Sequence, residues 1–280
     1  DLKHPDGVEA VLRLVEKADV LTEGFRPGVM ERLGLGPDDC LARNPGLVYG
    51  RMTGWGQEGP LARAAGHDIN YIAQSGAPGM IGRKGEPPLP PPNLVGDFGG
   101  GGMYLAFGIV SALMRVHQTG EGMVVDAAMV HGTTHLSTFV HGSMARGKWS
   151  GGRGANMLDG GAPFYRVYRT ADDRFMAVGP LEPAFYAAFI ETVDAGPDFL
   201  RSQWDREASP AMAVRLEEIF ATRTQAEWVA AFEAVAACAT PALPLDRARP
   251  PPQPSHSFLS AAAPALRQKP VDSGARGYKR

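Results

Sequence analysis

The 280-residue chain carries 28 basic and 30 acidic residues, a formal net charge of −2. That balance leaves no basic field for holding a phosphate backbone, so nucleic acid is excluded as an expected partner. Its length suffices for one large domain or two modest ones, each with its own hydrophobic core. The only cysteines, Cys40 and Cys238, stand far apart and outside any CxxC pattern, which indicates neither a disulfide framework nor a thiolate zinc site and fits a reducing, intracellular compartment.

In chain order, Asp1, Leu2 and Lys3 read as a strand end running straight into a helix. Pro5 suits the first helical turn, and Val8, Val11, Leu12 and Val15 follow at helical spacing. Residues 19–23 and 47–53 read as strands, with brief helices over 28–33 and 37–43 between them. A helix is expected over 68–75. Five prolines in residues 87–92 force an extended strap. Asp97 is expected at a helix N-terminus, before Phe98, four glycines and a helix through His117. The apolar stretch 98–114 holds five glycines and is shorter than the ~20 residues of a bilayer span, so it reads as a buried helix and no membrane span is expected. Residues 124–129 read as a strand and 130–146 as a helix. Strand alternating with helix predicts an α/β fold with a mainly parallel sheet.

A glycine-rich crossing over 151–161 places the main boundary there. Beyond it the expectation is a hairpin, 164–169 and 174–178, turning through Ala171, Asp172 and Asp173, followed by helices over 182–193, 211–221 and 224–236, the last capped by Thr224. From Pro241 onward periodicity fails, and a disordered tail is expected. The expected organisation is a Rossmann-like parallel-sheet domain over 1–150, a smaller α+β domain over 151–245 and a Pro/Ala-rich tail over 246–280.

Two clusters carry chemistry. In Gly66-His67-Asp68-Ile69-Asn70-Tyr71 an imidazole enters a helix; in the segment 93–100 Asp97 stands where helix N–H groups favour an anion. Capping alone accounts for both. His131 and His135 have metal-pair spacing, but Gly132 stands where a zinc peptidase has Glu, and no metal is expected.

The segments FRPGVMERLGLGP (25–37), GHDINY (66–71), NLVGDFGGG (93–101), VVDAAMV (124–130), RGANMLDGGAPFY (153–165) and FMAVGPLEP (175–183) resemble, in order and spacing, the α-methylacyl-CoA racemases of the family III CoA-transferase (CaiB/BaiF) superfamily. The resemblance runs from Asp1 to about Pro244. It implies that His67 and Asp97 are the two acid–base groups and that Glu182 orients His67. It also implies that Asp1, Leu2, Lys3 and Gly66, Asp68, Ile69, Asn70 and Tyr71 touch coenzyme A, which enters as part of an acyl-CoA thioester substrate and not as a separate cofactor. An interlocked homodimer is implied as well. A first strand–helix unit of about fifty residues is implied before Asp1, and its absence here makes weakened CoA affinity or poor folding the expectation.

Two bases of different type suit inversion at the carbon beside a thioester, one taking the proton from one face while the other delivers to the opposite face. The enolate oxygen needs donors where its charge develops, and the backbone of a Gly99–Gly102 turn is the candidate. Tyr71 and Asn93 are further candidates for orienting the thioester or Asp97. The rival reaction is CoA transfer between acids with Asp97 as nucleophile, for which His67 has no evident task; a catalytically silent binding subunit is the other alternative. The expected compartment is the cytoplasm, or the mitochondrion or peroxisome in a eukaryote, although the ending Tyr278-Lys279-Arg280 is not a peroxisomal signal.

Overall fold

A computed structural model describes residues 1–149 and 152–248. The tail expected over 246–280 thus lies almost wholly outside the described residues, as do two residues of the glycine-rich crossing.

The N-terminal sheet is parallel, with order β1 (Val20–Glu23), β2 (Val48–Thr53), β3 (Met123–Ala128). Val20 pairs with Val48 and Val48 with Met123, so β2 is central. This α/β reading from strand–helix alternation is borne out. Helix α1 (Pro5–Val15) precedes β1; its cap is His4, whose Nδ1 accepts from the Asp6 amide at 3.2 Å. Residues 1–3 form a turn, not the expected strand end, because the Lys3 and His4 amides both fold back onto Asp1. Between β1 and β2 lie α2 (Val29–Arg32) and α3 (Pro37–Arg43). The core here gathers Val15, Cys40, Leu47 and Tyr49, all essentially inaccessible. Tyr49 Oη donates to the Leu35 carbonyl, and burial pushes both the Tyr49 phenol and the Cys40 thiol up, the latter to about 11.

Between β2 and β3 come α4 (Asp68–Ser75), a 3₁₀ turn (Ala77–Met80), a π-helix (Leu94–Met103) and α5 (Tyr104–Thr119). The π-helix and α5 are continuous over 26 residues. By length and composition this helix could cross a bilayer, but α5 lies along the sheet, with Leu105 and Ile109 over Gly50 of β2. The expectation that it is buried does not hold. Only the face toward the sheet is covered, while Phe98, Met103, Phe107, Val110 and Met114 are each more than half exposed. After β3, the helix expected over 130–146 is two, α6 (Met129–Leu136) and α7 (Thr138–Ala145), joined at Ser137.

The C-terminal sheet is antiparallel, with order β4 (Arg166–Arg169), β5 (Phe175–Val178), β6 (Ala239–Ala242). The expected hairpin forms through residues 170–174, with Asp173 left-handed at φ 57°. Strand β6 overturns the expectation of a tail from 241: Pro241 lies opposite Met176 on an edge strand, where a missing N–H is tolerated. Helices α8 (Pro183–Val193), α9 (Pro197–Arg201), α10 (Ser209–Phe220) and α11 (Gln225–Phe232) cover this sheet. The last ends four residues before expectation. Its cap is Thr224, reciprocated by Glu227, whose carboxyl those hydrogen bonds hold below the usual range. Here sits the larger core, built on stacked rings: Tyr168 on Phe220, Phe189 on Phe220 and Phe232, with Trp228 donating to the Phe220 carbonyl at 3.0 Å.

Candidate active site

Both predicted acid–base residues belong to the connection between β2 and β3. His67 is the extended N-cap residue of α4 and is exposed. Its amide donates to Asn70 Oδ1 at 3.0 Å, and its carbonyl accepts from the Asn70 and Tyr71 amides. The first two helical amides, those of Asp68 and Ile69, are the ones a helix leaves without internal acceptors.

Asp97 departs from its expected place. It is not the residue ahead of a helix but the fourth residue of the π-helix, which begins at Leu94 after a left-handed Asn93. A run of four glycines weakens a helix by propensity, yet here it continues one, because packing decides. Gly100 and Gly132 are where the π-helix and α6 touch: a Cβ on Gly100 would lie 2.6 Å from Thr133 Oγ1, and one on Gly132 would overlap the Gly100 carbonyl. The Gly99–Gly102 amides accordingly face the carbonyls five residues back, in the manner of Phe98 N–H on Asn93 O at 3.1 Å. They are not free to receive an enolate oxygen, and the expected glycine turn is corrected to a helix interior.

What joins the two segments is Asp68. Its carboxylate, 4% exposed, accepts the Asp97 amide at 2.7 Å. The half-buried Asp97 carboxylate in turn accepts from Asn93 Nδ2 at 2.5 Å. Tyr71 completes the group. Its hydroxyl donates to the Gly66 carbonyl, its ring meets Trp55 edge-on at 4.8 Å, and burial, with the negative charge of Asp97, raises its phenol. Gly66, Asp68, Tyr71, Asn93 and Asp97 are therefore brought together. Trp55, whose buried Nε1 has no acceptor among the described residues, joins them from the loop after β2 and went unread in the sequence.

Other predicted residues lie apart. Glu182 is the exposed N-cap residue of α8 beside the C-terminal sheet, and no hydrogen bond joins it to His67 among the described residues. Ile69 and Asn70 are exposed, as are Asp1 and Lys3, with Leu2 half-buried. His135 pairs with Tyr104, and no group of three metal-binding side chains occurs among the described residues. A cleft of about 1500 Å³ opens between the 82–86 turn, α7 and β4, lined by Arg83, Lys84, Phe139, Arg146 and Arg166; none of the predicted site residues borders it.

The sequence also concealed an ionic network within β2. Arg51 reaches Glu23 of β1 at 3.0 Å and Glu31 of α2 at 2.8 Å, with the Arg51 and Glu23 side chains at most 8% exposed. Burial works against the Glu31 charge, but backbone amides and Arg51 outweigh it and hold that carboxyl below the usual range.

Known proteins supply the context. The chain is 48% identical to α-methylacyl-CoA racemase of Mus musculus over 248 residues, 89% of this chain and 65% of that protein. It is 49% identical to α-methylacyl-CoA racemase of Homo sapiens, with 87% and 64% covered. It thus spans a little less than two thirds of the length of these curated relatives. A crystal structure of Rv3272 from Mycobacterium tuberculosis superposes with a TM-score of 0.69 at 28% identity, covering 88% of this chain and 65% of that one. A CaiB/BaiF family protein from Brucella suis shares the fold with a TM-score of 0.71 at 24% identity, covering 88% and 66%. With the sequence pattern of CoA-transferase family III matched across residues 1–261, the chain belongs to that family.

Proposed function

We propose that the chain is an α-methylacyl-CoA racemase, inverting the carbon beside a thioester with His67 and Asp97 as its two acid–base groups. The observation that carries this reading is the Asp68–Asp97 hydrogen bond: the residue following the imidazole in sequence holds the backbone of the carboxylate, which ties the two segments together. The identity of about 48–49% to two racemases supports the same chemistry.

In this mechanism the acyl-CoA lies across the head of α4. One base removes the α-proton while the other, protonated, delivers from the opposite face; the reverse reaction exchanges their roles. The enolate oxygen is received by the Asp68 and Ile69 amides, where helix-terminal N–H groups favour negative charge. Tyr71 and Trp55 wall the site, and Asn93 orients Asp97. Glu182 stays in the reading as the acid that orients His67, and Asp1, Leu2, Lys3 and the 66–71 segment as contacts of coenzyme A, which enters only as part of the substrate. The interlocked homodimer and the division into a catalytic domain over 1–150 and a smaller one over 151–245 belong to the same proposal.

The test is incubation of the chain with a chiral 2-methylacyl-CoA in deuterated water. Deuterium at the α-carbon with loss of stereochemistry, abolished in His67→Gln and Asp97→Asn, is expected. CoA exchange into a free acid without α-deuteration would replace this reading with a transferase in which Asp97 is the nucleophile.

A further inference from the structure

Asp68 is unusual in its setting. It is a carboxylate at 4% exposure, and no lysine, arginine or histidine pairs with it among the described residues. Removing a charge from water is costly unless hydrogen bonds compensate, and an unpaired buried carboxylate is rarely kept for stability alone. Capping a helix requires only a neutral Ser, Thr or Asn. The neighbourhood is nevertheless shaped around it. A Cβ on Gly96 would stand 2.5 Å from Asp68 Oδ2 and 2.9 Å from Ile72 Cγ2, so only glycine lets the π-helix settle against this carboxylate. The amide that Asp68 binds, at 2.7 Å, is that of Asp97 itself, one of the first-turn N–H groups that a helix cannot satisfy internally.

We infer that Asp68 is a positioning residue, its side chain fixing the main chain of Asp97 and thereby the placement of that carboxylate relative to His67. This rests on the acid–base roles proposed above. Asp68 is the first residue of α4, directly after His67, so one short lever connects the two groups: α4 carries the imidazole at its cap and clamps the π-helix through its first side chain. Asn93 holds the Asp97 side chain from its other side, but Asn93 is itself exposed and left-handed, and so is the weaker of the two restraints. The clamp differs from the contact with coenzyme A that the resemblance gave Asp68, because the buried carboxylate points into the protein and not toward solvent.

The experiment compares Asp68→Ala, Asp68→Asn and Gly96→Ala in the full chain by α-proton exchange into deuterated water. Misplacing a reacting group by about 1 Å costs up to ~100-fold in rate. Asp68→Ala is expected to lower kcat about ten- to hundredfold with KM within about twofold, Gly96→Ala to do the same, and Asp68→Asn, which keeps an acceptor oxygen, to recover most of kcat. A rise in KM with unchanged kcat in both Asp68 variants would assign Asp68 to substrate binding and overturn the inference. A second arm does not depend on the reaction. Amide hydrogen exchange of residues 93–98 is expected to quicken at least tenfold in Asp68→Ala and to stay near the parent in Asp68→Asn; unaltered exchange in Asp68→Ala would show that the clamp does not exist. A parent chain inactive in exchange but with this protection pattern would sink the racemase reading and leave the clamp standing.

Discussion

Alanine at position 132 tests the crossing that carries Asp97. A Cβ there would lie 2.7 Å from the Gly100 carbonyl carbon and 2.8 Å from its Cα, and would overlap the carbonyl oxygen. Ordinary contact between such atoms is ~3.5–4.0 Å, so the two backbones must separate by about 1 Å. Neither partner is a flexible side chain that could swing aside. Glycine in a helix interior costs about 0.5–1 kcal/mol relative to alanine, which Gly132→Ala would regain, but overpacking costs about 1–3 kcal/mol and more where main chain must move. The net expectation is a loss of about 1–2 kcal/mol. At roughly 2–4 °C per kcal/mol for chains of this size, the melting temperature falls by about 2–8 °C, read by circular dichroism or scanning fluorimetry. Gly142 of α7 is the control: a Cβ there meets nothing within 4 Å, and Gly142→Ala should raise the melting temperature by a few degrees. If Gly132→Ala melts at or above the parent while Gly142→Ala does not rise, close contact is not why glycine stands at 132.

Further outcomes are expected elsewhere. Arg51→Met leaves the Glu23 carboxylate buried and unpaired, a loss of about 3–5 kcal/mol in denaturant unfolding, and adding Glu23→Gln recovers much of it. Trp228→Ala removes a side chain 1% exposed that packs at a tilt against Phe220 and Phe232, at a cost of about 3–5 kcal/mol by the same measurement. The depressed Glu31 carboxyl contributes stability that is fully present above the unfolded glutamate pKa of ~4.3 and is lost as pH falls through its lower folded value. The parent should therefore lose more melting temperature than Glu31→Gln between about pH 5 and pH 3, and identical acid profiles would contradict the ion pair.

The parallel sheet was legible because β1, β2 and their helices alternate in composition and period, and the capping signals at Pro5, Thr224 and Gly120 mark true helix ends. Three features were hidden by local rules that tertiary packing overrides. Four glycines read as a turn, yet close approach to α6 makes them a helix interior. The apolar run after Asp97 reads as buried, yet only one face of it meets the sheet. From Pro241 the chain reads as a tail, yet that proline sits on an edge strand that has no need of its N–H. In the site, residue identities came from motif resemblance, whereas the Asp68 carboxylate bridging 29 positions along the chain has no signature in spacing. The Arg51 network is similar, since nothing in sequence marks an arginine within a strand as buried against two glutamates.

The π-helix also acts as a rotational coupling. Downstream, α5 has a fixed phase because Leu105 and Ile109 must face Gly50 on the sheet; upstream, Asp97 has a fixed phase because its amide must meet Asp68. The wide-bore stretch between them absorbs the difference between these two settings. An i→i+5 turn takes about one residue more than an α-turn, so losing one residue from 99–102 would restore a regular helix while leaving Asp97 near the head of α4 and the sheet contacts in place. The glycine run thus serves the close crossing with α6, and the direction of the carboxylate is left to the Asp68 contact.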